Sequence, residues 1–113
     1  MIKVIDGHRY NTDKSVKVAM VSNFGSDCYP DDAGYWERDL FVTQAGYYFE
    51  YTFGQGMSKF GGYSDEFNCY CANEFITPVD DPDYWIDSYQ DDEGFWKNDE
   101  IWSTRLGVLL TFV

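Results

Sequence analysis

The sequence predicts an α+β domain, an antiparallel sheet of about five to six strands with one or two short helices in the C-terminal third. Three observations carry that expectation. An Asp6-Gly7 pair sits between short β-rich runs, and both residue types tolerate the positive φ of a two-residue hairpin turn. Residues 47–53, Tyr-Tyr-Phe-Glu-Tyr-Thr-Phe, form an aromatic run of strand length. Near residue 79 the chain turns acidic and opens on Asp81-Pro82, a carboxylate that can cap free amides followed by a proline whose fixed φ suits a first helical turn. With no internal repeat, no low-complexity linker and three prolines, residues 1–113 read as one domain carrying an acidic helical insertion at about 80–104.

In chain order, the Asp6-Gly7 turn predicts strands at 2–5 and 8–10, and Asn11-Thr12-Asp13 can cap a single helical turn. Val16, Val18 and Met20 alternate with Lys17, Ala19 and Val21, which predicts a strand over 16–22. Residues 23–36 hold Gly25, Pro30, Asp31, Asp32 and Gly34 and read as a loop. A hairpin follows over 37–53. Its turn, Gln44-Ala45-Gly46, suits a type I turn closed by a left-handed Gly46, because Ala45 resists the positive φ of a two-residue turn. Period-two alternation places Tyr47, Phe49, Tyr51 and Phe53 on the core face and Tyr48, Glu50 and Thr52 outside, so replacing Glu50 is expected to be neutral. Gly54, Gly56, Gly61 and Gly62 make a loop around 57–60, strand character returns over 67–77, and Pro78 is expected to end it.

The helix is expected over 82–90, with Gly94 as a breaker and a second short helical turn around 95–101. The apolar run Leu106-Gly107-Val108-Leu109-Leu110-Thr111-Phe112-Val113 reads as a buried closing strand.

Net charge is −12, and residues 80–100 hold nine acids against one base, Lys97. Aromatic residues are threaded through this stretch, which separates it from the acidic tails that stay disordered. A folded negative surface of this kind argues against nucleic acid or anionic membrane as a direct partner and for a strongly basic protein. The expected contact residues are Asp80, Asp81, Asp83, Tyr84, Trp85, Asp87, Tyr89, Asp91, Asp92, Glu93, Trp96, Asp99 and Glu100. On a continuous helix Asp83, Asp87 and Asp91 would repeat charge about every 6 Å, close to the phosphate spacing along one nucleic-acid strand.

Catalytic and cofactor signatures are missing. His8 is the single histidine and reads as a solvated turn residue. The serines lack a nucleophile-elbow context, Gly54-Gln55-Gly56 is not followed by Lys-Ser/Thr, and the acids do not follow calcium-loop spacing. Paired carboxylates suffice in composition for glycosidase chemistry, but a domain this small is not expected to form the cleft. Cys69 and Cys71 would share one strand face, yet with Cys28 and His8 they match no zinc spacing, so all three cysteines read as reduced, packed thiols and no cofactor or metal is expected. No long apolar segment appears, which predicts a cytoplasmic protein of a bacterial host cell with no membrane partner.

Residues 4–12 (Val-Ile-Asp-Gly-His-Arg-Tyr-Asn-Thr), Glu37-Arg38-Asp39-Leu40-Phe41 through Ala45-Gly46-Tyr47-Tyr48-Phe49-Glu50-Tyr51, and Gly54-Gln55-Gly56-Met57-Ser58-Lys59-Phe60 together resemble a family of small proteins encoded on phages and integrative elements of Gram-positive bacteria. The resemblance spans residues 1–79 and implies a β-rich fold of mobile-element origin. In size and charge the chain is also similar to anti-CRISPR and anti-restriction proteins. The function expected from this combination is a non-enzymatic counter-defence inhibitor, foremost an anti-CRISPR protein that blocks the DNA-binding or PAM-reading groove of a Cas effector by acidic DNA mimicry. The alternatives are an immunity protein or antitoxin for a basic nuclease, and an accessory protein with no inhibitory role.

Overall fold

The structure, a computed structural model, describes residues 1–24 and 28–99. The first hairpin pairs β1 (Ile2–Ile5) with β2 (His8–Asn11) in the register Ile5↔His8 and Ile2↔Asn11. Its turn has Asp6 at φ 50° and Gly7 at φ 80°, the two positive values that a two-residue turn needs to match strand twist. The Asn11 side chain then accepts from the Asp13 amide at 2.9 Å and caps a 3₁₀ turn over Thr12–Lys14.

The main sheet contains β3 (Val16–Ser22), β4 (Trp36–Val42), β5 (Tyr48–Gly54), β8 (Asn73–Val79) and β9 (Trp96–Lys97) in the antiparallel order β8-β5-β4-β3-β9. In the β4–β5 turn the Gly46 amide donates to the Thr43 carbonyl, the Thr43 amide donates to the Tyr47 carbonyl, and Gly46 stands at φ 91°. This is the three-residue turn expected from Ala45-Gly46. Between β5 and β8 a small hairpin pairs β6 (Gly62–Ser64) with β7 (Cys69–Cys71). Helix α1 (Pro82–Tyr89) follows β8.

Both faces of the sheet are covered. On one, Val18, Ala19, Val21, Leu40 and Val42 pack with Trp85 and Ile86 of α1. On the other, Tyr10 of β2 joins Phe41, Phe49 and Ile76, with the Phe41 and Phe49 rings stacked at 5.3 Å. The α+β class and the antiparallel sheet are as expected; several details differ for identifiable reasons. Strict alternation in β3 is broken by a register shift between Lys17 and Ala19, so Val18 and Ala19 are both buried. Glu50 and Thr52 are not outside: Glu50 is 8% exposed and Thr52 fully buried, because α1 lies on their face. Tyr47 falls just before β5 and is exposed instead of core.

Pro78 lies within β8 instead of ending it, which is allowed because β8 is an edge strand. Helix α1 stops at Tyr89, so Asp91 is not on it, and the turn foreseen around 95–101 is at residues 96–97 a strand paired with β3. The closing strand expected at 106–113 lies outside the described residues.

Candidate partner-binding surface

The acidic stretch is held on the sheet by a small number of contacts. The Asp81 carboxylate accepts from the Tyr84 amide at 3.0 Å, the cap that the Asp-Pro signature foretold. Four residues along from its cap, Trp85 is 6% exposed and donates its indole Nε1–H to Glu50 Oε2 at 2.7 Å. Glu50 Oε1 accepts from Thr52 Oγ1 at 3.2 Å and stands 3.7 Å from Arg38 Nε. Arg38 in turn donates from Nη1 to the Tyr89 hydroxyl at 2.6 Å and lies 4.4 Å from the centre of the Phe60 ring. A carboxylate buried under a helix is costly unless paired, and here an indole, a hydroxyl and a guanidinium meet it. The network pins α1 at its middle, through Trp85, and at its end, through Tyr89.

Beyond α1 the chain makes a tight turn, with Asp92 N donating to Tyr89 O and Phe95 N to Asp92 O. Gly94 passes so close to β3 that a Cβ there would run into the Ser22 carbonyl oxygen. Phe95 packs against the helix-side core, and β9 then pairs through Met20↔Trp96 and Ala19↔Lys97. The acidic stretch is therefore tied to the sheet before, within and after the helix.

Every carboxylate foreseen at this surface and described here is exposed: Asp80, Asp81, Asp83, Asp87, Asp91, Asp92, Glu93 and Asp99. The base of the stretch, Lys97, is 3.5 Å from Asp99. Tyr84 is 72% exposed and Trp96 45%, so both can meet a partner. Trp85 is core, which corrects its expected contact role, and Tyr89 is half-buried with its hydroxyl occupied by Arg38. Glu100 lies outside the described residues. Between α1 and β8 a cavity of about 270 Å³ is lined by Glu50, Asp80, Asp81, Tyr84, Trp85 and Tyr89 among others. Carboxylates and aromatic rings around one opening suit a lysine or arginine side chain.

Comparisons with protein-family models, curated proteins and solved structures find no match. What this surface can do is read from its own residues.

Elsewhere, His8 is exposed but not merely solvated, since its ring centre lies 4.3 Å from that of Tyr47. Cys69 is exposed, while Cys28 and Cys71 are half-buried, so the thiols are not uniformly packed as foreseen. Among the described residues no group of three or more histidines, cysteines and acids is placed to hold a metal ion, and no helix is long and apolar enough to cross a membrane.

Sequence reasoning missed Glu50 and Arg38, the pair that anchors the surface from beneath. Glu50 and Thr52 are the polar members of an aromatic strand, and polar alternation is the ordinary sign of a solvent face. The available signal was Trp85, a large apolar residue with one donor that needed a buried acceptor somewhere in the fold.

Proposed function

We propose that this chain is a non-enzymatic binding protein whose acidic α1 surface docks into the basic groove of a nucleic-acid-handling protein, and that its role is counter-defence, with a CRISPR effector as the favoured target. The observation that carries this reading is the division of labour in residues 80–99. Trp85, Ile86 and Phe95 are committed to the core while eight carboxylates stay exposed on backbone that is capped, turned and strand-paired. A preformed array of charge loses little entropy on binding and steers a basic partner from a distance.

The mimicry does not run along one helix. Asp83 and Asp87 are one turn apart on α1, and Asp91 and Asp92 continue from the turn after it. Exposed Tyr84 and Trp96 supply the aromatic anchors that dominate desolvated interface centres. The opening beside Asp80 and Asp81 takes one cationic side chain of the groove.

The test is capture of a purified Cas effector on the immobilised chain, followed by competition with the effector's own target DNA and a salt series. Capture that DNA displaces and that weakens steeply from low to moderate salt supports the proposal. Capture unaffected by DNA or salt sinks the charge mechanism, and capture of a basic toxin nuclease with no binding to any effector replaces the target with an immunity partner.

A further inference from the structure

The β6–β7 hairpin carries chemistry that the acidic surface does not use. Cys69 and Cys71 are two apart on β7, so they project from the same side of the strand, and their sulfur atoms are 3.7 Å apart. Tyr70, between them, points the other way and meets Tyr63 of β6 edge-on at 5.2 Å. The hairpin is closed by Asn68 in the left-handed region at φ 50° and by a hydrogen bond from the Tyr63 hydroxyl to the Asn68 side chain. Cys69 is exposed and Cys71 half-buried.

We propose that Cys69 and Cys71 are a redox-active dithiol that exchanges with low-molecular-weight disulfides to form a reversible intrachain disulfide. The exposed Cys69, as thiolate, attacks one sulfur of the incoming disulfide and expels one thiolate, leaving a mixed disulfide on Cys69. The Cys71 thiolate, already within van der Waals reach, then attacks the Cys69 sulfur and expels the second. The two cysteines give up two protons and two electrons, and the small disulfide is reduced to two thiols.

The geometry sets the character of the bond. Cα atoms two residues apart on an extended strand are about 6.6 Å apart, at the upper edge of the span that a disulfide tolerates. Closing the ring bends β7 and strains the bond, and strained, accessible disulfides are the labile and regulatory kind. Cys69 is exposed and Cys71 half-buried, which suits Cys69 as attacker and Cys71 as the residue that resolves the adduct.

The test uses the full chain with Cys28→Ser, so that only the pair can react. It is equilibrated with oxidised and reduced glutathione at several ratios, quenched with an alkylating reagent and weighed intact. The expected product is a monomer two hydrogens lighter, with no alkylated thiol, that returns to the dithiol when reduced glutathione is in excess. A further Cys71→Ser change should trap one glutathione on Cys69. Ring closure from the mixed disulfide should be faster in the folded chain than in urea, because the fold holds the sulfurs together. Stable glutathione adducts on both cysteines, disulfide-linked dimers, persistent free thiols, or closure no faster in the folded chain would each overturn the proposal.

Discussion

The two faces of the main sheet each bury one carboxylate, and they treat it differently. Beneath α1, Glu50 is met by Trp85, Thr52 and Arg38 and so becomes a strut between strand and helix. On the opposite face Asp39, 3% exposed, has Lys17 at 3.4 Å, but its Oδ1 has no hydrogen-bond partner. Burial, followed by the neighbouring Glu37, pushes the Asp39 carboxyl up to about 7, and Lys17 only partly offsets them. Around it Tyr35 donates to Glu37 at 3.2 Å, and Tyr51 donates to Glu74 at 2.6 Å. Burial raises both phenols, Tyr35 to about 12. Asp39 is thus both the deeper of the two carboxylates and the one that fewer donors meet.

The contrast can be broken by mutation. The largest loss is expected where neither carboxylate is involved. Phe49 is fully buried between Phe41 and Tyr10, and Phe49→Ala should cost about 3–5 kcal/mol in urea unfolding. Glu50→Ala should cost roughly 2–4 kcal/mol, because it leaves the Trp85 indole without its acceptor and the Arg38 guanidinium without its ion-pair partner. A loss at position 50 within about 0.5 kcal/mol would mean that α1 does not sit on this face.

Asp39→Asn should be the mildest change and the one whose sign depends on pH. Asp39 binds its proton more tightly in the folded chain than in the unfolded one, where its ordinary value is 3.8. Its ionisation therefore removes stability as pH rises from about 4 to about 7, and the full penalty persists above that. Thermal melts should show wild type and variant nearly equal near pH 4 and the variant more stable by roughly 1–2 kcal/mol near pH 8. A variant less stable than wild type at the higher pH would show that the Lys17 pair outweighs the burial of charge.

The same contrast explains what the sequence made legible. Local rules carried far: Asp6-Gly7 and Ala45-Gly46 specify their turns, Asn11 and Asp81 their caps, and each depends on residues within four positions of one another. The sheet's second covered face was not legible, because it depends on where a helix more than thirty residues away in sequence comes to rest over Glu50. Of the β6–β7 hairpin, β7 falls within the strand expected over 67–77, which the structure opens with a turn at Phe67 and Asn68 and breaks at Ala72. Strand β6 was missed because Gly62-Tyr63-Ser64 has no β-branched residue, and the turn relies on Asn68 where a glycine would have announced it. At the acidic surface charge alone identified the exposed carboxylates, whereas telling core aromatics from contact aromatics required the packing: Trp85 goes in, Tyr84 and Trp96 stay out.

The most direct test of the proposed docking surface is charge reversal of Asp83, Asp87, Asp91 and Asp92 to Lys, assayed by DNA binding of a captured effector. These side chains are exposed, so the reversed protein should keep the wild-type circular dichroism spectrum and unfold within about 1 kcal/mol of it. The expected result is that wild type blocks DNA binding by the effector and the reversed protein does not. A folded, reversed protein that still blocks DNA binding as strongly as wild type would contradict docking through this surface.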